Sequence, residues 1–317
     1  MKYLIYPALM LMGMTFSINT QNPILSTRVL ADFEAEKLVI EQGQKIRFLD
    51  KSKGNPVQWS WNFENGFPAK ALESDPEVYY PKAGYYDVTI TVSDGETFDT
   101  KVMKDYVKVN GLIHHFRFDG LVRDEVNLNH GLGLMNKWTL ARDRKGATNR
   151  ALLLRPDSYA TLADRGEFKT NELTISLWMK TPKRAAQRAV ILEKYGDQEN
   201  DFGFRLLMTD GQISFEGSDG SGLLRSTGSS IDSFDDDQWH QITAVMTSNS
   251  HWQLWVDGIL RAEQINSYTI SEQFNQVDLT IGFSQISEYK AFEGVIDDLK
   301  IFNKALNMQA IVKLSSE

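Results

Sequence analysis

The sequence predicts an all-β chain, a small β-sandwich followed by a larger two-sheet sandwich of jelly-roll type, and three observations carry that prediction. Gly, Pro, Asn and Asp punctuate the chain about every ten residues, and the runs between them alternate, as in YYDVTITVSDG, ELTISLWMKTP and FGFRLLMTDGQISFEG; period-two patterning between turn residues marks half-buried strands. Helical periodicity is confined to the last turns, ALNMQAIVKL, where one short helix is expected with Asn303 as its N-cap. Aromatic residues make up 11% of the chain, a share that strand-rich domains carry.

At 317 residues the chain is too long for one small domain and long enough for two, and 42% hydrophobic residues supply both cores. The net charge of −8 argues against a nucleic-acid partner, because phosphate binding needs a basic footprint, and it disfavours anionic membrane surfaces. The absence of cysteine excludes disulfides, thiolate catalysis and Cys-ligated zinc, and removes the residue that a lipoprotein anchor requires.

Residues 1–17, MKYLIYPALMLMGMTFS, read as a signal peptide. One Lys precedes an apolar run over residues 4–16 that is too short to span a bilayer but has the length of a signal h-region. Thr15 and Ser17 are the small residues that a signal peptidase needs, so cleavage after Ser17 is expected. The protein is therefore expected to be exported, whether periplasmic, cell-surface associated or secreted. No second long apolar run follows, so no membrane insertion is expected.

The first sandwich is assigned to residues 28–110, with the boundary at Val109-Asn110-Gly111. Trp59, Trp61 and Phe63 share one strand face, and Tyr86, Val88, Ile90 and Val92 share another, so both sets can enter one core. Asn65-Gly66 and Asp94-Gly95 are tight-turn dipeptides, and Pro81 suits a strand edge. ADF at 31–33, WSWNFENGFPA at 59–69, DPEVYYPKAGYYDVTITVSDG at 75–95 and DYVKV at 105–109 together resemble a PKD domain. The resemblance implies an Ig-like β-sandwich serving as a spacer or contact module. Glu64-Asn65-Gly66 stands where the PKD signature has Gly-Asp-Gly.

Residues 111–317 form the second sandwich. Ile175, Leu177 and Met179 share one face of a strand, as do Phe204, Leu206 and Met208, and Ile213 with Phe215; these faces should pack sheet on sheet. The opposite faces would present Trp178, Arg205 and Glu216 together if their strands are neighbours. HFRFDGLVRDEVNLNHGLG (115–133), RDRKGATNRALLL (142–154), LTISLWMKTP (173–182), DQWHQITAVM (237–246), LWVDG (254–258) and the closing LTIGF and FEGVIDDLKIFNKAL (279–306) stand in the order of a LamG-like domain. The segment thus resembles the concanavalin A-like jelly roll of laminin G, pentraxins and bacterial lectin modules, in which sugars bind the free concave face and rim loops. Trp178 as a stacking platform, with Arg205 and Glu216 as hydrogen-bonding partners, is the candidate ligand site; a structural Trp178 beside a solvated Arg205–Glu216 pair is the competing reading.

The resemblance also brings the loop after Asp119 close to Asp297-Asp298, and oxygen-rich clusters of that kind suit Ca²⁺. Asp124, Asn129 and Asp297 are the candidate ligands of a structural calcium, although DEVNLN replaces the family's Asp-x-Ser-Gly-Asn. Only one of Asp297 and Asp298 is expected to serve, since neighbours on a strand face opposite ways. No catalytic motif is found: the five histidines form no HExxH, His114 and His115 diverge on their strand, and no GxSxG or P-loop occurs. EGVIDDLK at 293–300 lacks the carboxylate spacing of a jelly-roll glycanase. An exported, non-catalytic protein that binds a glycan is therefore expected. The alternatives are an interaction subunit docking on a cell-surface protein and, third, a jelly-roll glycanase or lyase.

Overall fold

The computed structural model describes residues 28–128, 130–136, 138–183, 188–195, 202–219, 224–265, 275–286 and 288–317. The expected leader and Asn129 lie outside the described residues. The described residues are all-β with one short helix, as the alternation predicts. No helix among the described residues is long and apolar enough to cross a membrane.

The first domain packs a three-stranded sheet (Phe33–Ala35, Lys45–Asp50, Glu77–Tyr79) on a five-stranded one. The larger sheet runs Val39–Glu41, Phe98–Asn110, Gly84–Ser93, Gln58–Phe63, Lys70–Ala71, with only its first pair parallel. The two faces read from the sequence meet in its core: Tyr86, Val88, Ile90 and Val92 are buried against Trp61, Phe63, Phe33 and Phe48. Trp59 sits at the margin and donates its indole N–H to Asp50 Oδ2 at 2.8 Å. Gly66 has no alternative in its turn, because a Cβ there would lie 2.8 Å from Val78 Cγ1 and 2.9 Å from Phe63 Cβ.

The strand Phe98–Asn110 passes directly into Leu112–Phe116, which opens the second sandwich. One of its sheets, the helix-side sheet, is ordered Thr139–Ala141, Ala151–Leu154, Gly294–Phe302, Leu173–Lys180, Trp239–Met246, His251–Val256, Ile259–Ile265, and Leu112–Phe116 also pairs with Gly294–Phe302. The facing sheet is ordered Gly133–Met135, Tyr159–Leu162, Leu279–Ile281, Arg188–Lys194, Phe202–Thr209, Gln212–Asp219, Leu224–Ser229. Ile175, Leu177, Met179, Phe204, Leu206, Met208, Ile213 and Phe215 all point between the sheets, into one continuous core with Trp252. The period-two reading of these strands is therefore correct face by face.

The C-terminal helix α1, Met308–Leu314, lays Ile311 on Val245 and Trp255 over the outside of the helix-side sheet. Its N-cap is Asn307, whose side chain accepts from the Ala310 N–H at 3.0 Å, and not the expected Asn303. Asn303 follows the last strand immediately and is drawn instead to the domain junction. It accepts from the Gly111 N–H at 2.8 Å and donates to the Val109 carbonyl at 2.9 Å. Around it, Lys108 Nζ donates to Thr170 Oγ1 at 3.1 Å, Lys169 pairs with Asp105 at 3.1 Å, and the Tyr85 hydroxyl donates to the Lys169 carbonyl. The two sandwiches thus meet through a hydrogen-bonded seam.

Candidate functional site

The outer face of the facing sheet carries a polar row that follows from strand register. A two-residue turn, Asp210-Gly211 at φ 53° and 79°, closes the hairpin of Phe202–Thr209 and Gln212–Asp219 and sets Arg205 opposite Glu216. Left-handed conformations at both turn residues match the twist of the strands, and this fixes the register. The neighbouring strand sets Glu193 opposite Arg205, and Thr280 lies opposite Glu193. With Phe204 and Leu206 inside, the alternation sends Arg205 outward.

Arg205 Nε donates to Glu216 Oε2 at 3.3 Å, and Arg188 donates to the same oxygen at 3.4 Å. The Arg205 guanidinium lies 4.8 Å from the ring centre of Tyr195 and 4.5 Å from that of Tyr289, so it is held between two aromatic faces. Ile286 and Tyr289 fold back onto Val190 and Leu207, which leaves Arg205 only 4% exposed and Glu193 5%. Burial pushes the Glu193 carboxyl above its ordinary value, against the opposing pull of Ser284 and Arg205. Its Oε2 is buried without a hydrogen-bond partner.

Trp178 does not join this row, contrary to the expectation that the three candidates share a face. Its strand pairs with Trp239–Met246 and Gly294–Phe302 in the other sheet, so its outward face lies on the far side of the sandwich. Half-buried there, Trp178 has the Arg144 guanidinium 5.1 Å from its ring centre. Arg144 in turn donates to Asp297 at 2.7 Å and to Asp298 at 3.3 Å.

Both carboxylates therefore face one side, which corrects the expectation that they diverge. The pairing with Leu173–Lys180 slips between Ser176 and Trp178, and Asp298 takes φ 51°, a bulge that turns two successive side chains the same way. They line a charged cleft of about 220 Å³ with His115, Arg144 and Lys300. His115 Nε2 lies 2.6 Å from Asp298 Oδ1, and Lys300 Nζ donates to Asp298 Oδ2 at 3.2 Å. Burial raises Asp297 most, and Arg144 only partly offsets it, giving a pKa of about 6. Burial also acts on Asp298, but His115 and Lys300 outweigh it and hold that pKa at about 2.

Asp124, the other described member of the expected calcium set, is engaged elsewhere. Buried in its loop, it accepts from the backbone N–H of His115 at 3.0 Å and of Val126 at 2.9 Å, and its Oδ2 lies 2.7 Å from His114 Nδ1. Arg144 and Asp297 are paired on the sheet face, so the structure gives Asp124 and Asp297 separate partners.

His114 belongs to a cluster that the sequence reading missed. Its Nε2 lies 3.2 Å from Glu167 Oε1, and His130 Nδ1 lies 3.6 Å from the same oxygen. Positions 114, 130 and 167 follow no motif spacing, and only the fold of the loops around Leu112–Phe116 brings them together. They lie at the floor of a crevice of about 550 Å³ between the domains, walled by Tyr85 and Asp105 on one side and Asn127 and Arg165 on the other.

The PKD domain family matches residues 31–101, and the concanavalin A-like lectin/glucanases superfamily matches residues 155–312. No curated protein matches the sequence significantly. Among solved structures, domain 4 of AbnA, an extracellular arabinanase from Geobacillus stearothermophilus in complex with arabinotriose, is 19% identical with a TM-score of 0.54; the match covers 65% of this chain and 98% of that one. The botulinum neurotoxin serotype G binding domain is 15% identical with a TM-score of 0.53, covering 65% of this chain and 51% of that one. The binding domain of Paraclostridial Mosquitocidal Protein 1 is 14% identical with a TM-score of 0.52, covering 64% and 51%. The match thus spans about half the length of the two toxin domains. At these identities the likeness shows the jelly-roll fold.

Proposed function

From a chain that joins a PKD domain to a concanavalin A-like domain of the lectin/glucanase superfamily, we infer an exported, non-catalytic binding protein that takes carbohydrate through the second domain. The observation that carries the reading is the outer row of the facing sheet: Arg205 lies between the rings of Tyr195 and Tyr289 and is flanked by Glu193 and Glu216. Aromatic faces stack on pyranose or furanose rings, and charged donors grip their hydroxyls; Tyr195 and Arg188 are the half-buried members of the row that a sugar would reach.

Two features favour binding over hydrolysis. Glu193 and Glu216 stand on strands separated by a third, about 10 Å apart at the backbone by the usual strand spacing, with the Arg205 side chain between them rather than the open space that the carboxylate pairs of retaining (about 5 Å) or inverting (about 6.5–9.5 Å) glycosidases leave for sugar and water. Glu216 is also neutralised by Arg205 and Arg188. Export rests on the leader-like residues 1–17 and is tested by the N-terminus of protein recovered outside the cytoplasm.

Isothermal titration with soluble polysaccharides and oligosaccharides, arabinan among the first, tests the site. Arg205→Ala and Glu216→Ala should weaken binding at least about tenfold with unchanged circular dichroism, since charge-assisted hydrogen bonds contribute roughly 1.5–3 kcal/mol each. Trp178→Ala should leave binding unchanged. Retention of no glycan, or undiminished binding by both row variants, refutes the site; release of reducing ends refutes the non-catalytic reading. A second reading, contact with a cell-surface protein, is favoured by Val57 and Leu72, which are 61% and 74% exposed beside Trp59 on the first domain.

A further inference from the structure

We propose that His114, His130 and Glu167 form a binding site for a divalent transition metal of the zinc class, at the floor of the crevice between the two domains. One ligand atom from each residue lies within 4.8 Å of the other two. Tetrahedral zinc with bonds of about 2.1 Å sets its ligand atoms about 3.4 Å apart. The two separations from Glu167 Oε1, 3.2 Å to His114 and 3.6 Å to His130, bracket that value.

A second, independent observation points to a missing partner. Both imidazoles are buried, at 2% exposure each. His114 Nε2 and Glu167 Oε1, 3.2 Å apart, are nonetheless both buried atoms without a hydrogen bond, and so is His130 Nε2, across the ring from the Nδ1 that faces Glu167. Buried polar atoms in native proteins find partners, and each one left without costs about 1–3 kcal/mol. His114 Nε2 and Glu167 Oε1 are close but not aligned as donor and acceptor, which is the arrangement of two ligands turned to a common point. A single cation held by His114 Nε2, Glu167 Oε1 and His130 Nδ1 would satisfy the first two of these orphaned atoms together.

The surroundings are also those of a metal site. Asp124 Oδ2, 2.7 Å from His114 Nδ1, fixes the proton on that nitrogen and leaves the Nε2 lone pair for coordination. The His115 and Val126 backbone N–H groups hold the Asp124 carboxylate in place. Imidazole ligands select zinc, nickel, copper or iron over calcium and magnesium, and a His-His-Glu set needs no cysteine. The crevice supplies an access path, and three protein ligands would leave a fourth position for water.

The test uses the full chain after treatment with a chelator. Titration with Zn²⁺ should show one site per chain, with Ca²⁺ bound at least about 100-fold more weakly. Co²⁺ should give the visible absorption of a tetrahedral complex. His130→Ala and Glu167→Gln should abolish both signals, Asp124→Asn should weaken Zn²⁺ about 10–100-fold, and His251→Ala should change nothing. Zinc-edge X-ray absorption of the wild-type protein should show two imidazoles and oxygen, a readout that holds if a variant fails to fold. Absence of one-to-one Zn²⁺ binding, its survival in both ligand variants, or a zinc shell without imidazole overturns the proposal.

Discussion

Neutralising Asp297 and neutralising Asp298 should shift stability in opposite directions, although the two are adjacent and share Arg144. Asp297 is raised to about 6 in the fold against an ordinary 3.8, because burial penalises its charge more than Arg144 relieves it. The stability linked to it is fully present below 3.8 and is lost as pH rises through about 6. At pH 7 the ionised group therefore costs about 3 kcal/mol, at about 1.4 kcal/mol per pH unit of displacement. Asp298 is held at about 2 by His115 and Lys300, so its contribution is present above 3.8 and lost as pH falls through about 2. That contribution is also about 2 to 3 kcal/mol. Asp297→Asn should accordingly be neutral or stabilising at pH 7, and Asp298→Asn should destabilise by about 2 kcal/mol. Urea midpoints at pH 7 and pH 4.5 measure both, and the advantage of Asp297→Asn should shrink at the lower pH. A larger loss from Asp297→Asn than from Asp298→Asn would refute the assignment of the bulge charges.

Gly217→Ala should cost about 3 kcal/mol, the upper end for overpacking, because its Cβ would stand 2.3 Å from the Gly203 carbonyl oxygen and 2.4 Å from the Trp252 ring; an unchanged urea midpoint would contradict this packing. Asn303→Ala should cost about 2–3 kcal/mol by stranding the Gly111 N–H and the Val109 carbonyl, and should open the 109–111 junction to limited proteolysis. His240 is raised above its ordinary 6.5 chiefly by its bond to Asp257, with burial opposing and Asp236 assisting. Its stabilisation should be complete below 6.5 and vanish as pH rises through the elevated value. A proton NMR titration of the ring checks this, and Asp257→Asn should return the midpoint toward 6.5.

Local rules made much of the molecule legible. Alternation alone assigned Ile175, Leu177, Met179, Phe204, Leu206 and Met208 to the core, because the pleat leaves no other choice once one face is buried. The Arg205–Glu216 pair was equally readable, since Asp210-Gly211 closes a hairpin whose register follows from its turn. Strand order was not readable. Trp178 sits 27 positions before Arg205, yet its neighbours are Gln241 and Asp297, a pairing that only the whole topology decides. The bulge at Asp298 depends on a slip between two distant strands, and the residue types there do not announce it. Glu167 was invisible for a simpler reason: a glutamate in a polar loop has no sequence signature until the histidines fold onto it.

The strand Gly294–Phe302 sits mid-sheet, between Ala151–Leu154 and Leu112–Phe116 on one edge and Leu173–Lys180 on the other. A ribosome releases this strand after all of its partners, which wait with open edges. The contact between Gly111 and Asn303 closes a span of 192 residues, and such long-range topology makes folding slow. Until that strand arrives, the helix-side sheet is three separate pieces, Leu112–Phe116 among them, and the seam to the first domain lacks its central clasp. Removal of the chain from residue 294 onward would therefore disable the second sandwich as a unit, where trimming an edge strand would merely fray it.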